Sequence, residues 1–75
     1  MSTLAEIKVG ESVRVVRVEG EDAIGLRLQE MGLTPGVEVA MIGMAPLGDP
    51  IEFQVRGYRL SLRKREADRV DVAPV

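Results

Sequence analysis

The sequence predicts a mainly β fold: a small, partly open five-stranded barrel, with one α-helix between the first and second strands and a short helical turn before the last. Three observations lead there. Apolar and polar residues alternate in several short runs, as they do where one face of a strand is buried and the other wet. Glycine and proline interrupt those runs at close intervals. Only one stretch, carrying Ile24, Leu28 and Met31, has apolar spacing suited to a helix. A chain of 75 residues buries only about 60% of its unfolded surface and has nothing left for a second core. Residues 1–75 are therefore read as a single domain.

The lead-in places Leu4 and Ile7 on one surface, and Gly10 turns the chain into the first strand, residues 13–18. Val13 and Val15 share a face there, and Val16 and Val18 continue it only if one residue is inserted, which is how a β-bulge looks in sequence. Gly20 ends the strand. Asp22 is placed to cap a helix of about ten residues whose partly positive N-terminus favours the carboxylates of Glu21 and Asp22, and Gly32 takes the position just past its end. Leu26 lies opposite the apolar stripe, either exposed or covered from outside the core. Pro35 and Gly36 predict a type II turn. The next strand points Val37, Val39 and Met41 one way and bends at Gly43.

Residues 44–50, with Pro46 and Pro50, cannot hold a strand ladder, because proline lacks the N–H that a ladder needs. A loop is expected there. Ile51, Phe53 and Val55, then Tyr58, Leu60 and Leu62 across a turn at Gly57, make a hairpin with one wet face. A single helical turn at residues 65–68 leads to a last strand at residues 70–72. Five short strands offer too little for two stacked sheets, and their edges need closing, which suits an SH3-like barrel.

Composition excludes several functions. The chain has no Cys and no His, so it lacks the usual general base, the thiolate nucleophile and the soft ligands of a structural zinc. Ser61 stands between two arginines with no base in reach, and no glycine pattern matches a phosphate loop. We therefore expect no enzyme, no cofactor and no metal site. The acids at Glu21, Asp22, Asp68 and Asp71 lack the spacing of a calcium loop and read as capping and solvated positions. No run approaches the ~20 apolar residues that cross a bilayer, and neither a signal-like N-terminus nor cysteine is present, so a cytoplasmic location is expected.

Ten basic and twelve acidic residues give a net charge of -2, which neither attracts nucleic acid nor strongly repels it. The run Arg56, Arg59, Arg63, Lys64 and Arg65 invites an RNA-binding reading, but sites for single strands stack bases on aromatic side chains. Phe53 and Tyr58 are the only aromatics, and both share phase with core positions. The arginines read more simply as a solvated strand face. More informative is the apolar content of the proline-stiffened loop: Met44, Ala45 and Leu47. A stiff apolar loop loses little entropy on binding and suits a docking surface. The alternative is that Leu47 folds back to lid the barrel.

Three segments carry a family resemblance: Glu30-Met31-Gly32-Leu33-Thr34-Pro35-Gly36, Ala45-Pro46-Leu47-Gly48-Asp49-Pro50, and Val55-Arg56-Gly57-Tyr58-Arg59-Leu60-Ser61-Leu62-Arg63. In this order and spacing the chain closely resembles the FeoA family of ferrous-iron transport accessory proteins, from about Leu4 to Val72. The resemblance implies an SH3-like fold, a prokaryotic cytoplasm, and assistance to FeoB, a membrane Fe(II) transporter with a cytosolic GTP-binding part. Membrane contact would come only through that partner. Related domains end iron-dependent repressors of the DtxR type, but this chain shows no DNA-reading helix or metal ligands.

Within those motifs, Gly32, Pro35, Gly36 and Gly57 look like backbone geometry, and Met31, Leu33, Leu60 and Leu62 like core. The remaining motif residues, Pro46, Leu47, Gly48, Asp49, Pro50, Tyr58 and Arg59, are the candidates for partner contact, joined by Leu26 and Met44. Two rival readings are a small RNA-binding SH3-like barrel and self-association through an open sheet edge.

Overall fold

The computed structural model describes residues 2–75. Its strands are β1 (Ser2–Thr3), β2 (Ser12–Val18), β3 (Glu38–Met44), β4 (Ile51–Val55), β5 (Tyr58–Leu62) and β6 (Val70–Pro74). Helix α1 (Ala23–Glu30) joins β2 to β3, the one-turn helix α2 (Lys64–Ala67) joins β5 to β6, and a 3₁₀ turn at Leu4–Glu6 follows β1. The strands form one antiparallel sheet in the order β1-β6-β2-β3-β4-β5. The predicted five strands and both helical segments are present, and β1 is a sixth strand. A two-residue strand has no alternation to read; it exists because Ser2 and Thr3 lie against Val72 and Asp71 of β6.

Both long strands bend at an inserted residue. Along β2 and β6 the register runs Val15↔Val72 and then Arg17↔Asp71, so Val16 is the extra residue of a bulge. The bulge falls where the valine pattern placed it, but Val16 itself turns outward to 37% exposure while Val18 packs against the core. The expectation that Val16 would continue the buried face is corrected: an inserted residue leaves the ladder. A second bulge inserts Ile42 between Met41↔Phe53 and Gly43↔Glu52, bending β3 at Gly43. Met44 pairs with Ile51, so the loop expected from residue 44 begins one residue later, at Ala45.

Helix α1 is anchored at both ends. Asp22 Oδ1 accepts the Gly25 N–H at 3.0 Å, satisfying one of the donors that a helix start leaves unpaired. Gly25 is buried, and a Cβ there would stand 2.1 Å from the Gly20 carbonyl oxygen, so the first turn of the helix lies directly on the chain just past β2. At the other end the Gly32 N–H bonds the Gln29 carbonyl at 3.0 Å and the Leu33 N–H bonds the Leu28 carbonyl at 3.3 Å. This is the Schellman arrangement, and its usual hydrophobic contact is available because Leu28 and Leu33 are both wholly buried. The helix spans eight residues, shorter than the expected ten, because Met31 already serves as its C-cap.

The core is continuous. Leu4 and Ile7 close one side, Val13, Val15, Val39, Met41, Ile51, Phe53, Val55, Leu60, Leu62, Val70 and Val72 line the concave face of the sheet, and Leu28, Leu33 and Ala67 cover it. Asp71 is buried on the opposite face of β6, where it accepts the Arg17 Nε–H at 2.9 Å across the strand pair.

Candidate functional site

The loop at residues 45–50 is built to hold its tip out. The Gly48 N–H bonds the Ala45 carbonyl at 2.7 Å, and the Ala45 N–H bonds the Pro50 carbonyl at 2.9 Å, closing the segment on itself. Pro46 occupies the second position of the resulting turn, where its fixed φ is already correct. Leu47 comes next and is 96% exposed. The reading in which it lids the barrel is therefore excluded. Met44, at the end of β3, is 53% exposed beside the loop's base.

Asp49 couples this loop to α2. Its Oδ1 accepts the Lys64 backbone N–H at 2.8 Å, filling a donor that the one-turn helix leaves free at its start. Glu66 reaches back with Oε1 to the Arg63 N–H at 2.8 Å, while its Oε2 accepts from Arg27 of α1. Loop, α2 and α1 are thus joined through two carboxylates. The side chains of Arg63, Lys64 and Arg65 project outward from this frame, and Arg63 and Arg65 border two clefts. One of about 660 Å³ also touches Ala5, Asp49 and Asp68; the other, of about 470 Å³, touches Ile24, Arg27 and Pro50.

The structure does not bring all the predicted contact residues together. Met44, Pro46, Leu47, Gly48, Asp49 and Pro50 form one region at the Ile51↔Leu62 end of the β4–β5 hairpin. Tyr58 and Arg59 are at its other end, opposite Val55 and Gln54. At about 3.3 Å per residue, Tyr58 lies about 13 Å along the strand from Leu62. The Tyr58 hydroxyl donates to the Met31 carbonyl at 2.5 Å, so this side chain ties β5 to the end of α1; it is 42% exposed and not core. Leu26 projects from α1 at 53% exposure.

Among the described residues, ion pairs join Arg17 to Asp71, Arg27 to Glu66 and Arg69 to Asp22. Arg69 and then the Gly25 N–H hold the Asp22 carboxyl well below its ordinary range, at about 2. Asp71 raises Arg17, and Asp22 raises Arg69, by favouring their charged forms. Arg56, Arg59, Arg63, Lys64 and Arg65 are exposed and have no carboxylate partner among the described residues. Arg56 and Arg59 lie at the far end of the hairpin, and the rest of the run, Arg63, Lys64 and Arg65, is a cluster of cations without ion-pair partners among the described residues. Its attachment to the apolar loop through Asp49 is a relationship that no spacing in the sequence could show.

No group of three or more His, Cys, Asp or Glu among the described residues is placed to hold a metal ion. No helix among them is long and apolar enough to cross a membrane. Phe53 is wholly buried, which removes it as a platform for stacking bases.

The architecture is that of a small SH3-like, mainly β module. A Stenotrophomonas maltophilia FeoA complexed with zinc, described as a prokaryotic SH3 domain protein, superposes with a TM-score of 0.86 at 39% identity, covering 97% of this chain and 91% of that one. The chain belongs to the FeoA family: the FeoA domain matches residues 2–74. A FeoA-like protein from Clostridium acetobutylicum has the same fold, with a TM-score of 0.91 and 36% identity over 99% of this chain and 86% of its own. An Fe(2+) transport protein A/Fe(2+) transporter FeoB fusion protein from Porphyromonas gingivalis is 35% identical over 69 residues, 92% of this chain. The matched segment spans only 8% of that fusion's length.

Proposed function

We propose that this chain is a small cytoplasmic accessory of prokaryotic ferrous-iron uptake, working by contact with a FeoB-type GTP-binding Fe(II) transporter and not by catalysis. The observation that carries this reading is the Porphyromonas gingivalis fusion, named as an Fe(2+) transport protein A/Fe(2+) transporter FeoB fusion, in which a segment similar to 92% of this chain is found. Covalent linkage raises the effective concentration of two units that work together. The geometry supports the loop at residues 45–50 as the contact surface. Leu47 is held almost fully in water by a closed, proline-stiffened turn, so burying it in a partner gains apolar contact with little ordering cost. Met44 and Pro46 extend the surface, while Gly48, Asp49 and Pro50 fix its shape. Tyr58 and Arg59, at the other end of the hairpin, and Leu26, which projects from α1, are further contact residues in this reading.

Copurification tests this. The tagged chain, recovered from gently solubilised membranes of its host, should retain a GTP-binding iron transporter, and the Leu47→Asp variant should lose it while remaining folded. Recovery of RNA or ribosomal material with no transporter would favour the RNA-binding alternative.

A further inference from the structure

We propose that the docking face is composite: Leu47 and Met44 form its apolar anchor and Arg63, Lys64 and Arg65 its cationic rim, fitted to an apolar pocket edged by carboxylates on the partner protein. The inference rests on the reading that the loop at residues 45–50 docks on the transporter. The two parts are tied together, because Asp49 accepts the Lys64 N–H at 2.8 Å and the same helical turn is capped by Glu66 on the Arg63 N–H at 2.8 Å. Three consecutive exposed cations repel one another. Elsewhere Arg17, Arg27 and Arg69 pair with carboxylates of the chain itself, whereas these three form no ion pair among the described residues, and the two carboxylates that share their cleft, Asp49 and Asp68, accept from the Lys64 N–H and the Thr3 hydroxyl instead. The missing counter-charge of the three cations is supplied by the partner. Rim charges of this kind steer association.

A protein pocket suits the anchor better than a lipid surface. One leucine and a half-exposed methionine carry fewer carbons than the single acyl chain that binds a bilayer only marginally, whereas a few side chains enclosed in a fitted pocket can supply most of the energy of a protein interface. RNA is disfavoured because the nearest aromatic of the hairpin, Phe53, is wholly buried.

The test measures association and dissociation rates of the full chain with the FeoB-type transporter in nanodiscs of zwitterionic lipid, across a range of NaCl. It compares the unmodified chain, Leu47→Asp, and the triple variant Arg63→Gln, Lys64→Gln, Arg65→Gln, each checked for an unchanged thermal melt. The triple variant should associate about tenfold more slowly at low salt, the unmodified chain should converge on it as salt rises, and Leu47→Asp should act mainly by raising the dissociation rate. If Leu47→Asp weakens binding but the triple variant matches the unmodified chain at every salt concentration, the loop reading stands and the composite face is wrong. If the unmodified chain does not bind the transporter, both fail. If it binds vesicles of anionic lipid without transporter, and the triple variant does not, the cations face lipid and the proposal is overturned.

Discussion

The Tyr58 hydroxyl donates a 2.5 Å hydrogen bond to the Met31 carbonyl, laying the first side chain of β5 across the backbone where α1 ends. The space beneath it exists because the next residue is Gly32. A Cβ there would stand 2.0 Å from the tyrosine oxygen, and the residue's φ of +101° disfavours any side chain. One glycine thus serves both the helix cap and the tie between helix and hairpin.

Gly32→Ala should destabilise the fold by about 2 kcal/mol, roughly half from backbone strain and half from the displaced hydrogen bond. Tyr58→Phe alone should cost about 1 kcal/mol. In the Tyr58→Phe background the alanine should cost less, because the tie it disrupts is already gone, giving a coupling of about 0.5–1 kcal/mol. Urea denaturation of the four proteins measures this, and strict additivity would show that the contact is incidental.

Glu66 and its partner Arg27 should respond unequally to truncation. The Glu66 side chain is 9% exposed and that of Arg27 60%. Glu66→Ala leaves the Arg63 N–H without its acceptor and should cost about 1–3 kcal/mol. Arg27→Ala removes one arm of a mostly solvated pair and should cost no more than about 1 kcal/mol. Equal losses in denaturant titrations would mean that the ion pair, not the backbone cap, carries the stabilisation.

Acid should selectively weaken the start of α1. Asp22 is lowered from its ordinary 3.8 to about 2 by Arg69 and the Gly25 N–H. A carboxyl depressed in the folded state contributes stability that is present above its unfolded pKa and is lost as pH falls through the folded one. The window is therefore about pH 4 down to about pH 2. Asp22→Asn keeps a capping oxygen but not the charge, so its melting temperature should lie below that of the unmodified chain at pH 5 and converge with it toward pH 2. A gap independent of pH would contradict the assignment.

How much of this was legible depended on whether a feature leaves a local mark. The Val13-Arg14-Val15-Val16-Arg17-Val18 run announced its bulge because alternation breaks where a residue is inserted, and Asp22 and Gly32 marked α1 because caps demand particular residue types. The loop was legible from Pro46 and Pro50. β1 was not, since Ser2 and Thr3 become a strand only by meeting β6. Nor were the Asp49–Lys64 and Tyr58–Met31 contacts, which join residues 15 and 27 positions apart through tertiary closure. The site was therefore half legible: Leu47 could be singled out, but its separation from Tyr58 and its attachment to the cations of α2 required the fold.

Position 28 should separate folding from docking when compared with position 47. Leu28 is wholly buried, and Leu28→Ala should cost about 2–5 kcal/mol through lost contact and a residual cavity. Leu47→Asp should shift stability by less than about 0.5 kcal/mol, as surface changes do. Thermal melts of both variants check this, and a large loss at position 47 would mean that the leucine packs against something in the folded chain.

The most direct test of the account is an equilibrium titration of the unmodified chain and of Leu47→Asp against the reconstituted FeoB-type transporter, with matched melts as the control for folding. A central anchor contributes at least about 2 kcal/mol, so the variant should bind at least about 30-fold more weakly. Equal affinity in two equally folded proteins would contradict the claim that this loop is where the chain meets its partner.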